Sequence, residues 1–193
     1  MRKQALLFCC AQVVLLCYAQ IHKNRILVFL CLGLFLLHIA YTCIHNYELP
    51  VLLFYLPWTA LLRFSPDSIS FYTLALLMVG CIEIVKNKFQ LKNYYVSIAL
   101  VIAVLSLLAK IISGYRLTNS YLMFLAMLVL FPMLDFENRG YDFYWLTVSF
   151  AIGIIIAALT AERFAGYPNI AQYIKVDSYL SITRRCGFFG YPN

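Results

Sequence analysis

Charged residues are scarce in this 193-residue sequence: they make up 12% of it, and only eight residues are acidic. Hydrophobic residues make up 64%, against about 45–50% in ordinary soluble domains. The mean hydropathy is +0.84. A soluble fold cannot bury that much apolar surface, so we expect an integral membrane protein.

The sequence also lacks the short motifs of soluble nucleotide and protease chemistry. It has no Walker loop, no Gly-x-Ser-x-Gly, no His-Glu-x-x-His and no dinucleotide-binding glycine pattern. ATP-driven transport and Rossmann chemistry therefore have no support, and we expect no cofactor.

No disulfide framework or metal site is expected from the cysteines and histidines. The cysteines form neither a Cys-x-x-Cys pair nor a Cys/His ligand pattern. Six of the seven lie in apolar stretches, where cysteine behaves as a small hydrophobic residue. His38 and His45 lie seven residues apart on one face of a predicted helix, but two ligands do not make a metal site. The cysteines are Cys9, Cys10, Cys17, Cys31, Cys43, Cys81 and Cys186.

The formal net charge of +7 would suggest a nucleic-acid partner in a soluble protein. Here the basic residues are scattered between apolar stretches, which is typical of loops that meet anionic headgroups. We therefore expect membrane lipids, and not nucleic acid, as partners.

Long apolar stretches dominate residues 1–161 and predict an all-α, polytopic transmembrane bundle of about seven spans. The third stretch is short and contains Pro50 and Pro57, which leaves open a kinked span or a re-entrant segment. The first stretch resembles a signal peptide, but another apolar stretch follows after four residues, which favours an uncleaved helix. The predicted spans are 5–21, 26–45, 49–62, 69–85, 94–113, 119–134 and 143–161.

The distribution of Lys and Arg predicts a cytoplasmic N-terminus. In that orientation an odd number of spans leaves residues 162–193 on the outer face, whereas a re-entrant third segment inverts this conclusion. The predicted inner cations are Arg2, Lys3, Lys86, Lys88, Lys92 and Arg139, and the predicted outer cations are Lys23, Arg25, Arg63 and Arg116.

Glu83 and Lys110 lie near the ends of predicted spans, where we expect both side chains to reach the interface. The outer arginines are more suggestive, because a guanidinium matches phosphate oxygens bidentately and several could hold a lipid-linked pyrophosphate. Binding to lipid headgroups is the simpler interpretation of the same residues. The outer arginines are Arg63, Arg116, Arg163, Arg184 and Arg185.

Residues 162–193 form the one sizeable polar segment, and we predict an external loop there. Glycine and proline punctuate it, and Gly-Tyr-Pro-Asn occurs at 166–169 and at 190–193. The chain ends on Pro192-Asn193 with no further apolar stretch, so we expect an N-terminal fragment that is inactive alone.

The pattern Arg-x-x-Gly-x-x-x-x-Pro-Asn at 184–193 resembles the signature of the O-antigen ligase and polymerase superfamily, which includes Wzy-type polymerases. Residues 55–62 and 68–73 look like the third and fourth segments of that family. Arg185 departs from the pattern, because that position is more often apolar in the family.

The resemblance implies a membrane glycosyltransferase of the bacterial inner or plasma membrane. It would transfer glycan from an undecaprenyl pyrophosphate carrier to a sugar acceptor, in company with other polysaccharide assembly proteins. Arg184 would be catalytic, and Arg163, Gly187, Pro192 and Asn193 would bind substrate. A transporter or flippase, or a non-catalytic membrane protein of polysaccharide export, is the alternative.

Overall fold

A computed structural model of the chain describes residues 2–65, 68–86, 94–115, 117–133, 142–164, 166–171, 176–179 and 182–185. The regular structure within these ranges is helical except for one short antiparallel hairpin near the C-terminus. The elements are α1 (Arg2–Ile21), α2 (Arg25–Ile44), α3 (Glu48–Tyr55), a 3-10 turn (Leu56–Trp58), α4 (Phe71–Lys86), α5 (Tyr94–Ile112), α6 (Asn119–Met133), α7 (Phe143–Phe164), α8 (Pro168–Ala171), β1 (Val176–Tyr179) and β2 (Ile182–Arg185).

Four helices are long and apolar enough to cross a membrane: α1 from Lys3 onward, α2, α5 and α7. This confirms the predicted helical class and the membrane character of the chain. The helices α4 and α6 have 16 and 15 residues, and at about 1.5 Å per residue neither alone covers a hydrocarbon core of about 30 Å. Seven spans therefore stay a prediction.

The helices α1 and α2 end in the same capping motif. After α1, Lys23 adopts a left-handed conformation (φ 53°) and its N–H bonds the Gln20 carbonyl at 3.2 Å, while the Asn24 N–H bonds the Ala19 carbonyl at 3.0 Å. Asn46 (φ 54°) has the same role after α2. These bonds satisfy carbonyls that a helix end leaves unpaired. The resulting short turn lets α1 and α2 pack against each other.

The third apolar stretch is a broken helix rather than a continuous one. Its α-helix ends at Tyr55, and the following 3-10 turn contains Pro57, which has no N–H to continue the helical ladder. The segment begins beside the end of α2, where the Tyr47 N–H bonds the Thr42 carbonyl at 2.8 Å. It reaches the opposite end of that helix pair at Arg63, whose carbonyl accepts from Gln20 Nε2 at 3.2 Å.

Close contacts divide the chain into two compact units. Unit 1 comprises Met1–Tyr72 and Asp142–Tyr191, and unit 2 centres on Thr73–Tyr141. In unit 1, α3 and the 3-10 turn pack on α7. Large aromatic side chains form the core of this unit and are fully buried: Phe35, Phe54, Tyr55 and Trp58.

Small residues on α7 allow this close packing in unit 1. Ser149, Gly153, Ala157 and Ala161 recur every four residues along one face, and all are buried. A Cβ added at Gly153 would lie 3.1 Å from the Cα and carbonyl carbon of Phe54 and would collide with its carbonyl oxygen. The backbones of α7 and α3 therefore touch, as small residues permit between membrane helices.

In unit 2, α5 packs on α6 through a narrow stripe. The buried residues of α5 are Val96, Ala99 and Ala103, whereas many of its other apolar side chains are exposed. Glu83 of α4 is fully buried and lies 3.3 Å from Lys86 Nζ. The expectation that Glu83 reaches solvent is therefore wrong, because its carboxylate pairs with a lysine one turn later instead.

The polar tail contains more regular structure than the predicted loop. The helix α7 continues three residues past 161, to Phe164, and α8 follows. The strands β1 and β2 then pair antiparallel, with Asp177 opposite Arg184 and Val176 opposite Arg185.

Candidate functional site

Four basic residues lie at one end of unit 1, where α1 and α7 end and α2 begins. We call the set Lys23, Arg25, Arg63 and Arg163 the basic end. Lys23, Arg25 and Arg163 are exposed, and Arg63 is half-buried. The structure thus places Arg63 and Arg163, two of the predicted outer arginines, at the same end of unit 1.

Hydrogen bonds fix the backbone around Arg63 although the chain there is irregular. The Arg63 carbonyl accepts from Gln20 Nε2, and the Arg63 N–H bonds the Leu61 carbonyl at 2.8 Å. Ser70 Oγ donates to the Thr59 carbonyl at 2.8 Å. The Leu62 carbonyl accepts the Phe71 N–H at 2.8 Å. These bonds satisfy polar backbone groups that burial would otherwise penalise, and so they hold Arg63 in place.

The short helix α8 docks on the end of α1. Asn169 Nδ2 donates to the Ile21 carbonyl at 2.9 Å, and Ile170 is fully buried. The Tyr167 carbonyl accepts the N–H groups of Ile170 and Ala171 at 3.0 and 2.8 Å. Because Arg163 occupies the last turn of α7 just before α8, this docking holds Arg163 at the basic end.

This docking is a structural feature that the sequence alone did not reveal. The first Gly-Tyr-Pro-Asn copy supplies it through Pro168 and Asn169, whereas the repeat by itself indicated only turns. The pairing of Asn169 with Ile21 joins residues 148 positions apart. No local sequence pattern predicts a contact of that range.

The predicted catalytic residue Arg184 lies on β2, and its backbone pairs with Asp177. The structure describes the backbone of this hairpin, which follows α8 along the chain. The predicted substrate-binding residues Gly187, Pro192 and Asn193 lie outside the described residues. Of the predicted site, the structure therefore positions the side chain of Arg163 and the strand that carries Arg184.

A second polar feature lies inside unit 1, midway along α1. Tyr55 Oη donates to Gln12 Oε1 at 2.5 Å, and Gln12 Nε2 donates to the Cys31 carbonyl at 2.8 Å. Both ends of the buried amide are thus engaged within the protein. This network joins α1, α2 and α3, and it serves packing rather than binding.

His38 in α2 and His45 just after that helix pack against aromatic rings. His38 lies 4.5 Å from the Phe8 ring, and its Nδ1 is 3.9 Å from Cys9 Sγ. His45 packs on Tyr41 at 4.5 Å. Within the described part of the chain, no group of three or more His, Cys, Asp or Glu side chains could hold a metal ion.

The basic end has the chemistry of an anion site. Its guanidinium groups can donate paired hydrogen bonds to phosphate oxygens. Glu162, beside Arg163, is exposed, and Glu48 lies at the other end of unit 1, in the first turn of α3.

No protein-family model matches the chain, and comparisons with curated proteins and with solved structures found no match.

Proposed function

We propose that this chain is a multi-pass protein of the bacterial inner or plasma membrane and acts in surface polysaccharide assembly. Its activity is glycosyl transfer of the O-antigen ligase and polymerase type, from an undecaprenyl pyrophosphate carrier to a sugar acceptor. One observation carries the proposal. Arg63 and Arg163 lie at the same end of unit 1, and the strand that bears Arg184 follows α8, which is docked at that end.

The topology proposed is seven crossings with the basic end on the outer face. The path of the broken third segment supports this, because its two ends lie at opposite ends of the α1 and α2 pair. A re-entrant segment would return to the end at which it entered. With a cytoplasmic N-terminus, the end of α1 and the docked α8 then face outward.

In the proposed reaction, the acceptor hydroxyl oxygen attacks the anomeric carbon with inversion. The bond between that carbon and the carrier pyrophosphate breaks, and the hydroxyl proton passes to a base. Negative charge grows on the leaving pyrophosphate, where a fixed guanidinium stabilises it. Arg184 supplies this charge, while Arg163 and Arg63 hold the carrier phosphates. Gly187 lets the backbone approach the headgroup, and Pro192 and Asn193 shape the loop.

The test replaces Arg184 in the chromosomal gene of the native host and compares surface-glycan length on a gel. We expect Arg184→Lys and Arg184→Ala to lower the transfer rate by about 100- to 1000-fold, because lysine keeps the charge but loses the paired donors. Arg185→Ala is the matched control and should be much milder. Full-length glycan from an Arg184→Ala protein of normal membrane abundance would refute the catalytic role.

The broken third segment also favours a second candidate, a transporter or flippase, because interrupted helices line the substrate sites of many transporters. The Gln12 amide at this level already bonds Tyr55 and Cys31, which argues for a closed core. The two candidate functions predict different locations for the lipid-linked substrate. Accumulation on the inner face in Arg184 variants would favour transport, and accumulation on the outer face would favour transfer.

A further inference from the structure

The end of α5 in unit 2 carries a lysine held against an aromatic ring. Lys110 Nζ lies 4.0 Å from the centroid of the Tyr121 ring, and Tyr121 Oη is 2.7 Å from Ser106 Oγ. Ser106 and Lys110 lie one turn apart on α5, so the phenol lies along the helix between them. A cation over an aromatic face is attracted by the ring electrons, which restrains the lysine side chain.

The backbone around Lys110 is also fixed. Gly114 adopts a left-handed conformation (φ 69°), and its N–H bonds the Ile111 carbonyl at 3.1 Å. The Tyr115 N–H bonds the Lys110 carbonyl at 3.2 Å. This is the capping motif that also ends α1 and α2, and it stops α5 at Ile112, two residues after Lys110. The ammonium therefore has a defined position at the end of a helix long and apolar enough to cross a membrane.

The sequence around this lysine supplies no acidic partner. Between Glu83 and Asp135 there is no Asp or Glu, whereas the same stretch contains five basic residues. Lysine has three N–H donors, and a ring on one side leaves others free for an anion. The five basic residues are Lys86, Lys88, Lys92, Lys110 and Arg116.

Apolar side chains surround Lys110 on the exposed surface. Those of Leu108, Ile111 and Ile112 are exposed, as are those of Tyr115 and Leu117 in the turn that follows. A polar headgroup at the level of Lys110 would place its acyl chains along the apolar side chains of α5. A tyrosine at the end of a membrane helix is typical of the headgroup region.

We infer that Lys110 and Tyr121 form a binding site for an anionic phospholipid at the turn between α5 and α6. The ammonium binds the lipid phosphate, the Tyr121 ring holds the ammonium, and the exposed face of α5 contacts the acyl chains. The site lies in unit 2 and does not depend on the basic end or on glycosyl transfer.

The test is native mass spectrometry of the full chain in detergent, titrated with phosphatidylglycerol or with phosphatidylcholine. We expect the wild-type protein to prefer phosphatidylglycerol and Lys110→Gln to lower this preference by about fivefold, as one basic residue at a membrane surface does. Tyr121→Leu, which removes the ring, should lower it about twofold, while Tyr121→Phe, which keeps the ring, should change it little.

Lys3→Gln is the matched control, because Lys3 is an exposed lysine near the start of the apolar helix α1 and lies outside the basic end. An equal loss in Lys3→Gln and Lys110→Gln, or an unchanged preference in Lys110→Gln, would overturn the proposal. Competition by inorganic phosphate at millimolar concentration would overturn the assignment to a lipid.

A labelling experiment on the wild-type protein keeps the proposal testable should Lys110→Gln fail to fold. Phosphatidylglycerol should slow the reaction of the Lys110 amine with an acylating reagent at least twofold, whereas phosphatidylcholine should not. Lys3 on the same molecule provides the internal reference. Equal labelling of Lys110 with both lipids would contradict the site.

Discussion

The two units pack their apolar helices in different ways. In unit 1, 44% of the most apolar window of α1 is buried, against 17% for α7, and an irregular segment with fully buried aromatic side chains fills the interior. In unit 2, the share for α5 is also 17%, and two regular helices meet along a narrow stripe. Unit 1 thus depends on specific tertiary contacts, whereas much of the apolar surface of unit 2 is left for lipid.

This difference predicts where substitutions should affect the stability of the protein. A broken helix such as α3 leaves backbone groups that only neighbouring elements can satisfy, and such groups are costly in a membrane. Unit 1 supplies these partners through Gln20, Ser70 and Tyr72, whose side chains bond the carbonyls of Arg63, Thr59 and Leu52. The helices α5 and α6 satisfy most of their own backbone groups.

The largest effect is expected at Gly153, where α7 touches the backbone of α3. Gly153→Ala should destabilise the protein by about 3 kcal/mol, the upper end of the usual cost of overpacking. The neighbour that must move is the Phe54 backbone rather than a flexible side chain. Gly80→Ala in unit 2 is the matched control, because nothing lies within 4 Å of the added Cβ. Unfolding in detergent with increasing denaturant measures the stability of both variants. Equal stability of the two variants would contradict the difference in packing between the units.

A smaller effect is expected from the buried network of Gln12. Tyr55→Phe removes the donor to Gln12 Oε1 and should cost about 2 kcal/mol, since a buried acceptor loses its partner. Gln12→Leu combined with Tyr55→Phe should cost less than the sum of the single changes, because the double variant leaves no unpaired amide. A double-mutant cycle by the same unfolding assay measures this coupling. If the costs of the two single changes are strictly additive, the network does not couple α1 to α3.

The smallest effects concern the left-handed residues that end α1 and α5. Gly114→Ala should destabilise the protein by about 1 kcal/mol, because a Cβ is unfavourable at φ 69°. Lys23→Gly should stabilise it by roughly 0.5–1 kcal/mol, since Lys23 already bears that cost at φ 53°. Unfolding midpoints that shift in the same direction for both variants would contradict the shared capping motif.

The helices themselves could be predicted from the sequence, and their bounds agree with the structure to within a few residues. The apolar stretch 94–113 corresponds to α5, Tyr94–Ile112, and 26–45 corresponds to α2, Arg25–Ile44. This works because the length of an apolar stretch and its polar flanks depend only on local sequence. Pro57 likewise indicated the break in the third stretch.

The candidate site was predictable only in its residue types. The placement of Arg63 and Arg163 at the same end of unit 1 depends on the docking of α8 through Asn169 and on the bond from Gln20 to Arg63, both of which are long-range contacts. The sequence did not predict that Glu83 is buried in an ion pair with Lys86, because the exposure of a side chain is known only from the structure. The small residues every four positions on α7 are typical of a close helix contact, although the sequence alone does not say which helix lies against them.

The central claim is that the basic end of unit 1 faces outward, and cysteine labelling of intact cells tests it most directly. Lys23 and Asn46 are exposed, adopt the same left-handed conformation and lie near opposite ends of α2. Each is replaced by cysteine in a Cys186→Ser background and treated with an impermeant maleimide. The account predicts that Lys23→Cys reacts in intact cells and that Asn46→Cys reacts only after permeabilisation. The reverse pattern, or reaction of both from one side, would contradict it.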